Sequence, residues 1–229
     1  MYTLKFRLSL QSDWHIAAAE GDGANCDSLL LRGKDGQPLV PGTTLSGLFL
    51  AAANQLREMG FLTEAARDKV FGSPAQEKTV IFSNAAVIGK ASEYSDSYTN
   101  STVRRRVRMD NRTRTRQTGM LYAKEEGRPL EFSFAVECAD TATASLIVAL
   151  ARLIRGLGSG RRRGLGNTII ALEECSCGAK KLNQSEMLAI FEKYWLKGEE
   201  LPPESRTPKQ FKTSAADDDA RSEERRVGK

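Results

Sequence analysis

The sequence is poor in histidine and cysteine, and it has no long apolar run. It contains one histidine and four cysteines among 229 residues. A membrane-spanning helix needs about 20 consecutive apolar residues, so we expect no membrane partner. Irregularly spaced cysteines do not indicate a disulfide scaffold, and a single histidine argues against a structural zinc site. The composition therefore predicts a reduced, cytoplasmic protein.

The sequence also lacks a strong net charge, because its 34 lysines and arginines are nearly balanced by 29 aspartates and glutamates. The positive charge is instead concentrated in two segments. Clustered arginine on an otherwise balanced protein indicates a polyanionic partner such as nucleic acid. The first cluster consists of Arg104, Arg105, Arg106, Arg108, Arg112, Arg114 and Arg116, and the second of Arg161, Arg162 and Arg163.

The first arginine cluster has two interpretations. It is either a solvated charged hairpin or a surface that contacts an anion. Arginines with few intervening acids would repel one another if no anion were bound. The crowding of seven arginines into one short segment therefore favours the second interpretation.

The second arginine cluster lies in a glycine-rich segment, residues 156–166, between an apolar helical pattern and an apolar strand pattern. Glycine permits positive φ and a close approach of the backbone to a ligand. Successive backbone N–H groups and arginine side chains together can bind anions. No Gly-Lys-Ser/Thr follows, and the strand-then-helix order of a dinucleotide fingerprint is missing. The segment predicts a phosphate-binding loop, with a flexible solvated loop as the alternative.

The hydrophobic periodicity predicts strands and helices in the order β-α-β-β-α-β, with a further short helix after the first. This is the ferredoxin-like arrangement. We therefore predict an α+β fold with an RNA-recognition-type core. The predicted strands lie at residues 2–10, 79–87, 130–136 and 167–172, the helices at 45–59, 64–70 and 141–154, and the two large insertions at about 11–42 and 89–119.

Several boundaries follow from local signals. Thr43 or Thr44 is the predicted N-cap of the first long helix, and Gly60 its end. Gly156 is the predicted end of the second long helix. Met120–Ala123 is the predicted hairpin partner of the strand that follows it.

The chain is predicted to form one domain over residues 1–180, followed by a C-terminal helix at 181–198. Residues 199–229 are polar and predict disorder. The last nine, 221–229, resemble read-through of a cloning adaptor more than an evolved tail, and no functional inference depends on them.

Several segments resemble motifs of the RAMP superfamily of CRISPR proteins. Residues 39–47, 108–113 and 157–166 are similar to the segment that opens the family's first helix, to its "RIDR-T" segment and to its C-terminal glycine-rich loop. Trp14-His15-Ile16 fits the segment after the first strand, although alanines replace its glycines, and Phe71-Gly72 fits another landmark. Across residues 1–175, the order of these motifs along the chain is most similar to that in the backbone subunit of type III effector complexes.

The resemblance implies the partners and the RNA-binding residues. Copies of that subunit, or related paralogues, form a filament along a guide RNA together with other effector-complex subunits, and a complementary target RNA pairs with the guide. A thumb-like hairpin separates guide from target, with Val107 and Met109 as an apolar wedge. The implied RNA-binding residues are Thr44, Ser46, Arg104, Arg105, Arg106, Arg108, Arg112, Arg114, Arg116, Gly158, Gly160, Arg161, Arg162, Arg163 and Gly164.

RNA recognition is expected to depend on phosphates and shape, because the predicted strands carry no evident pair of base-stacking aromatics. Sequence specificity would then come from base pairing by the guide.

The resemblance also implies a catalytic residue, Asp27, in the loop after the first strand. Leu29, two residues after Asp27, stands where the family's segment around this aspartate has proline. A carboxylate there would position or deprotonate the attacking 2′-hydroxyl, or bind a divalent ion. We expect Mg²⁺ or Mn²⁺, with Asp27 and Asp22 as ligands and with Glu20 and Asp13 nearby in sequence.

Two alternatives remain open at this point. The chain is a non-catalytic structural or capping subunit if the departures at Leu29 and Ala17-Ala18 mark a lost activity. It is a metal-independent guide-RNA-processing endoribonuclease if His15 acts as an acid–base group. The place of His15 in the family motif favours a packing or hydrogen-bonding role.

Overall fold

The computed structural model describes residues 1–18, 26–74, 77–88, 100–109, 112–113, 115–177 and 180–198, with backbone only at 108, 116–120 and 180. The predicted tail lies outside these residues. The strands are β1 (Tyr2–Leu10), β2 (Leu39–Val40), β3 (Val80–Phe82), β4 (Ala85–Val87), β5 (Ser101–Met109), β6 (Arg116–Gly127), β7 (Glu131–Cys138), β8 (Thr168–Cys177) and β9 (Lys180–Leu182). The helices are α1 (Gly42–Glu58), α2 (Glu64–Phe71), α3 (Thr141–Ala151) and α4 (Gln184–Phe191).

The main sheet has the order β2-β4-β7-β1-β8-β9, and β3 also pairs with β7. The predicted strand at 79–87 is therefore divided into two short strands along one neighbour. Strand β1 lies between β7 and β8 and is antiparallel to both. The order β4-β7-β1-β8 is the ferredoxin-like one, which confirms the predicted fold class.

Strand β1 shows why the sheet has one buried face. Leu4, Phe6 and Leu8 are fully buried, whereas the residues between them lie on the other face. Phe6 stacks on Phe134 of β7 with ring centroids 5.3 Å apart, and it contacts Phe49 of α1 at 6.3 Å. The period-2 alternation of the sequence thus creates an apolar face that α1 and α3 cover.

Helix α1 begins earlier than predicted. Its N-cap is Pro41, so the prediction of Thr43 or Thr44 is wrong. The side-chain oxygen of Asn84 accepts a hydrogen bond of 2.8 Å from the N–H of Gly42. The first N–H of the helix is therefore capped by a residue that is distant in sequence. The predicted end is close to correct, because Gly60 follows the helix with φ +81°.

Strands β5 and β6 form a separate antiparallel hairpin, called the hairpin below. Met120–Ala123 pairs with β5 and not with β7, so that prediction is wrong. The opposite edge of β6 is occupied by residues 26–28: the N–H of Asp27 donates to the carbonyl of Ala123 at 3.0 Å. The inserted hairpin therefore extends to Gly127, past the predicted end at 119.

Helix α3 ends at Ala151, so the predicted end at Gly156 is wrong. The N–H of Arg152 bonds the carbonyl of Ala149 in a tighter turn, and Gly156 instead pairs with Asn167 at the start of β8. After α4, Trp195 donates to the carbonyl of Ala142 at 3.0 Å and holds the C-terminal helix against α3. Within the described residues, no helix combines the length and apolar character that crossing a membrane requires.

Candidate nucleic-acid interface

An open groove of about 1390 Å³ lies between the middle of the hairpin and the glycine-rich loop, residues 156–166. We call it the basic groove, because the side chains that line it carry five positive charges and no negative one. Its lining residues are His15, Ile16, Ala17, Ser28, Thr44, Arg106, Val107, Leu121, Tyr122, Lys124, Gly158, Ser159, Gly160, Arg161, Arg162 and Arg163.

The glycine-rich loop presents its three arginines on a short 3₁₀ turn, Arg161–Arg163. Gly160 and Gly164 flank the turn with φ +85° and +81°, a region that favours glycine. All three arginines are exposed at the groove. The second arginine cluster is therefore exposed to solvent, and its backbone forms a defined turn.

The glycine-rich loop is fixed to the segment that follows β1. The N–H of Ser159 donates to the carbonyl of His15 at 3.0 Å, and the N–H of Gly166 donates to the carbonyl of Asp13 at 2.7 Å. Gly158 has φ +76°, and a Cβ there would overlap the carbonyl oxygen of His15. Glycine at 158 is thus required by a positive φ and by close backbone contact at once.

The predicted RNA-binding residues divide between several places. Thr44, Arg106, Gly158, Gly160 and Arg161–Arg163 line the basic groove. Gly164 lines a neighbouring groove beside α1, and Ser46 lines neither. Arg105 and Arg112 are exposed on the hairpin segment. The side chains of Arg108, Arg114 and Arg116, and the whole of Asp22, lie outside the described residues.

Two arginines of the first cluster are already paired with acids. Arg104 contacts Asp13 at 2.6 Å and Glu126 at 3.0 Å, and Arg106 also pairs with Glu126. Glu126 is only 1 % exposed. For Arg104 and Arg106 the expectation of uncompensated repulsion is therefore wrong, because acids from other segments of the chain pair with them. Of the two, Arg106 also lines the basic groove and Arg104 does not.

Arg106→Met is expected to lower the free energy of unfolding by about 1–3 kcal/mol, because buried Glu126 loses one charged partner. Urea unfolding measures this change. The exposed neighbour Arg105 is the matched control, and Arg105→Met should alter stability by less than about 0.5 kcal/mol. Equal effects of the two substitutions would contradict a structural role for the Arg106–Glu126 pair.

Asp27 lies beside the groove at the edge of β6. One of its carboxylate oxygens accepts a hydrogen bond of 2.6 Å from the N–H of Ala123, and the residue is otherwise exposed. The next residue, Ser28, lines the groove. The predicted loop carboxylate is thus bonded to the edge of a strand.

His15 is 2 % exposed and bonded through both ring nitrogens. Its Nδ1 lies 2.6 Å from the carbonyl oxygen of Glu125, and its Nε2 lies 3.0 Å from Oγ of Ser28. A carbonyl only accepts, so Nδ1 carries the hydrogen and Nε2 accepts from the serine. Burial is the main cause that lowers the pKa of His15, so the ring is neutral at pH 7. The geometry favours a hydrogen-bonding role that holds the Asp27 segment against the hairpin.

Sequence reasoning missed Lys124 and Tyr122 as groove residues. Lys124 is 8 % exposed and donates to Oγ of Ser159 at 2.5 Å, which joins the hairpin to the glycine-rich loop. Tyr122 is 43 % exposed and adds an aromatic ring to the groove from β6. A single lysine and a single tyrosine in a strand have no distinctive spacing, so no local signal identifies them.

The open face of the main sheet differs from the groove, because its charges are balanced. Lys5 contacts Glu174 at 3.1 Å, and Arg7 contacts Glu173 at 2.6 Å and Glu131 at 3.4 Å. A face of alternating charges has little attraction for a polyanion. The excess positive charge of the site lies in the basic groove.

Across the part of the chain that the structure describes, no group of three or more His, Cys, Asp or Glu side chains is arranged to hold a metal ion. Asp13, one of the acids near Asp27 in sequence, is paired with Arg104. Glu20 and Asp22 lie outside the described residues, so of the four acids named from the sequence Asp27 is the described carboxylate that is not paired with a described cation.

The family model described as "RAMP superfamily" matches residues 7–169. Among curated proteins no match was found, whereas 211 chains of solved structures match. A chain of "Type III-B Cmr-beta Cryo-EM structure of the Apo state" has 12% identity and a TM-score of 0.56, over 75% of this chain and 97% of that one. A chain of "Cryo-EM structure of the Type III-B Cmr-beta bound to cognate target RNA" has 12% identity and a TM-score of 0.59, over 74% and 96%. At this identity the solved structures are evidence for a shared fold.

Proposed function

The chain belongs to the RAMP superfamily, and we propose that it is an RNA-binding backbone subunit of a type III CRISPR effector complex. One observation carries the proposal: the cationic side chains of the glycine-rich loop and of the hairpin line one open groove together. Arg106, Lys124 and Arg161–Arg163 line it together with the hydroxyl of Thr44.

This combination suits the backbone of a single-stranded RNA. Arginine pairs with phosphate through charged hydrogen bonds, and the hydroxyl of Thr44 can donate to a phosphate or a ribose. Contacts to phosphate and ribose carry no base information, so specificity would come from the guide paired with its target. The partners proposed are therefore guide RNA, complementary target RNA, other effector subunits and further copies or paralogues along the guide.

Replacing Arg161, Arg162 and Arg163 by serine is expected to weaken binding of a guide-like RNA by about 10–100-fold at moderate salt. The slope of log K against log salt should become shallower by about 2, because three phosphate contacts on a single strand are lost. Fluorescence anisotropy over a salt series measures both quantities.

The matched control removes three positive charges elsewhere. Lys34, Lys78 and Lys193 are exposed and do not line the groove. Their triple replacement by serine should leave the salt slope near that of the wild type. If both triple variants bind RNA alike, the basic groove is not the RNA site.

We further propose that Asp27 directs cleavage of the target RNA. Its carboxylate would accept the proton of the 2′-hydroxyl, whose oxygen attacks the adjacent phosphorus as the 5′-oxygen leaves. Its place beside Ser28, which lines the groove, supports this role. Mg²⁺ often needs only one or two protein carboxylates beside a phosphate, so Asp27 with Asp22 as a second carboxylate would be sufficient as protein ligands. When bound, such an ion would stabilise negative charge on the phosphate.

The other two candidate functions make different demands. A structural or capping subunit needs the basic groove and not Asp27. A guide-processing endoribonuclease would need His15 to reach a leaving oxygen, whereas its ring is buried and bonded at both nitrogens. The geometry therefore favours the Asp27 proposal over the His15 alternative.

A further inference from the structure

Lys124 is an unusual residue for the inside of a groove. Lysine is rarely buried unless it is paired with an acid, yet Lys124 is 8 % exposed and its hydrogen bond of 2.5 Å goes to the neutral hydroxyl of Ser159. The hydroxyl occupies one of the three donors of the ammonium group. A neutral partner leaves most of the charge of the ammonium uncompensated.

The charged groups around Lys124 do not compensate for the positive charge of its ammonium. Glu126 is the acid that most favours the charged ammonium, but its carboxylate is shared with Arg104 and Arg106. Arg106 and Arg163 both act against the charged form. Burial is the largest cause that lowers the pKa of Lys124, and the two arginines lower it further. An anion placed here would relieve both the burial penalty and the repulsion.

We propose that Lys124, Ser159 and Arg163 form a subsite for one phosphodiester group of single-stranded RNA. The inference rests on the proposed function, since the same groove would hold the RNA. Ser159 is well fixed for this purpose, because its N–H is bonded to the carbonyl of His15. Its hydroxyl can accept from the ammonium while it donates to a phosphate oxygen.

The proposed subsite makes RNA affinity depend on pH. A bound phosphate favours the charged ammonium, so affinity should fall as pH rises through the lowered pKa of free Lys124. The charged groups that face Lys124 are Arg106, Arg163 and Glu126, and the titratable side chains of His15 and Tyr122 line the same groove. The lowered pKa of His15 keeps its ring neutral above pH 7. Because Lys124→Met retains all of these groups, a fall in affinity that disappears in this variant is assigned to Lys124. An oligonucleotide of adenine and cytosine avoids bases that lose protons in alkaline solution.

The test compares wild type, Lys124→Met, Ser159→Ala and the exposed control Lys78→Met, each binding such an RNA oligonucleotide between pH 7 and 10. Lys124→Met should weaken binding about 10-fold and make the salt slope shallower by about 1. It should also abolish the fall in affinity with pH. Its stability to urea should equal or exceed that of the wild type, because a buried ammonium beside a neutral hydroxyl is costly.

If Lys124→Met has the same RNA affinity, salt slope and pH dependence as the wild type, the proposed subsite is refuted. If Lys124→Met does not fold, Ser159→Ala decides, because it removes a hydroxyl from an exposed loop: about 3-fold weaker binding is expected, and unchanged binding would overturn the subsite. Failure of the proposed function is distinguishable, since the wild-type chain would then fail to bind RNA or would bind it independently of Arg161–Arg163.

Discussion

Asp27→Asn is expected to lower the rate of target-RNA cleavage by about 10²–10⁴-fold, the usual contribution of a general base. Asparagine has the same size, and its side-chain oxygen can still accept the hydrogen bond that Asp27 takes from the N–H of Ala123. It has no negative charge with which to accept a proton or bind a divalent cation. RNA affinity should therefore stay near that of the wild type while cutting is lost.

The measurement is a single-turnover assay of the complex assembled with guide and complementary RNA, in Mg²⁺, Mn²⁺ or EDTA. Asp35 is the matched control: it is exposed and its carboxylate also accepts from a backbone N–H, that of Gln37. Asp35→Asn should cut as the wild type does.

The outcomes separate the three candidate functions. If wild type and Asp35→Asn cut and Asp27→Asn also cuts, the role of Asp27 is refuted. A wild-type complex that binds target and leaves it intact indicates a structural or capping subunit. Cleavage of precursor guide RNA in EDTA, lost in His15→Ala, would indicate the processing enzyme.

Gly158→Ala is expected to cost about 3–5 kcal/mol of stability, the range of severe single substitutions. Two effects combine there: the residue has φ +76°, and a Cβ would overlap the carbonyl oxygen of His15. The glycine-rich loop can relieve the overlap only by leaving the segment after β1. Because that movement also displaces Ser159, RNA affinity should fall together with stability.

Gly164 is the natural control for Gly158. It has φ +81°, but a Cβ there would meet nothing within 4 Å. Gly164→Ala should therefore cost about 1–2 kcal/mol, the penalty of left-handed backbone alone. Urea unfolding of both variants measures the difference. Equal losses would show that contact with the carbonyl of His15 does not hold the glycine-rich loop in place.

The core of the fold was predictable because its signals are local. The alternation in β1 and the helical spacing of apolar residues in α1 and α3 depend on residues a few positions apart. Their order along the chain then selects the ferredoxin-like arrangement. The family motifs identified the superfamily for a related reason, since each is a short segment at a fixed place in that order.

The contacts that shape the site were not predictable, because they join distant segments. Arg104 lies 91 residues from its partner Asp13, and Lys124 lies 35 residues from Ser159. The same reason explains the wrong N-cap of α1, whose first N–H is bonded by Asn84 at a separation of 42 residues. Periodicity reports which face of an element is buried, and it does not report which charged side chains meet across the fold.

The most direct test of the central claim is a cryo-EM reconstruction of the chain assembled with guide RNA. We expect RNA phosphates in the basic groove, within hydrogen-bonding distance of Arg161–Arg163 and of Lys124. Guide RNA lying instead across the open face of the main sheet, against Lys5 and Arg7, would contradict this expectation.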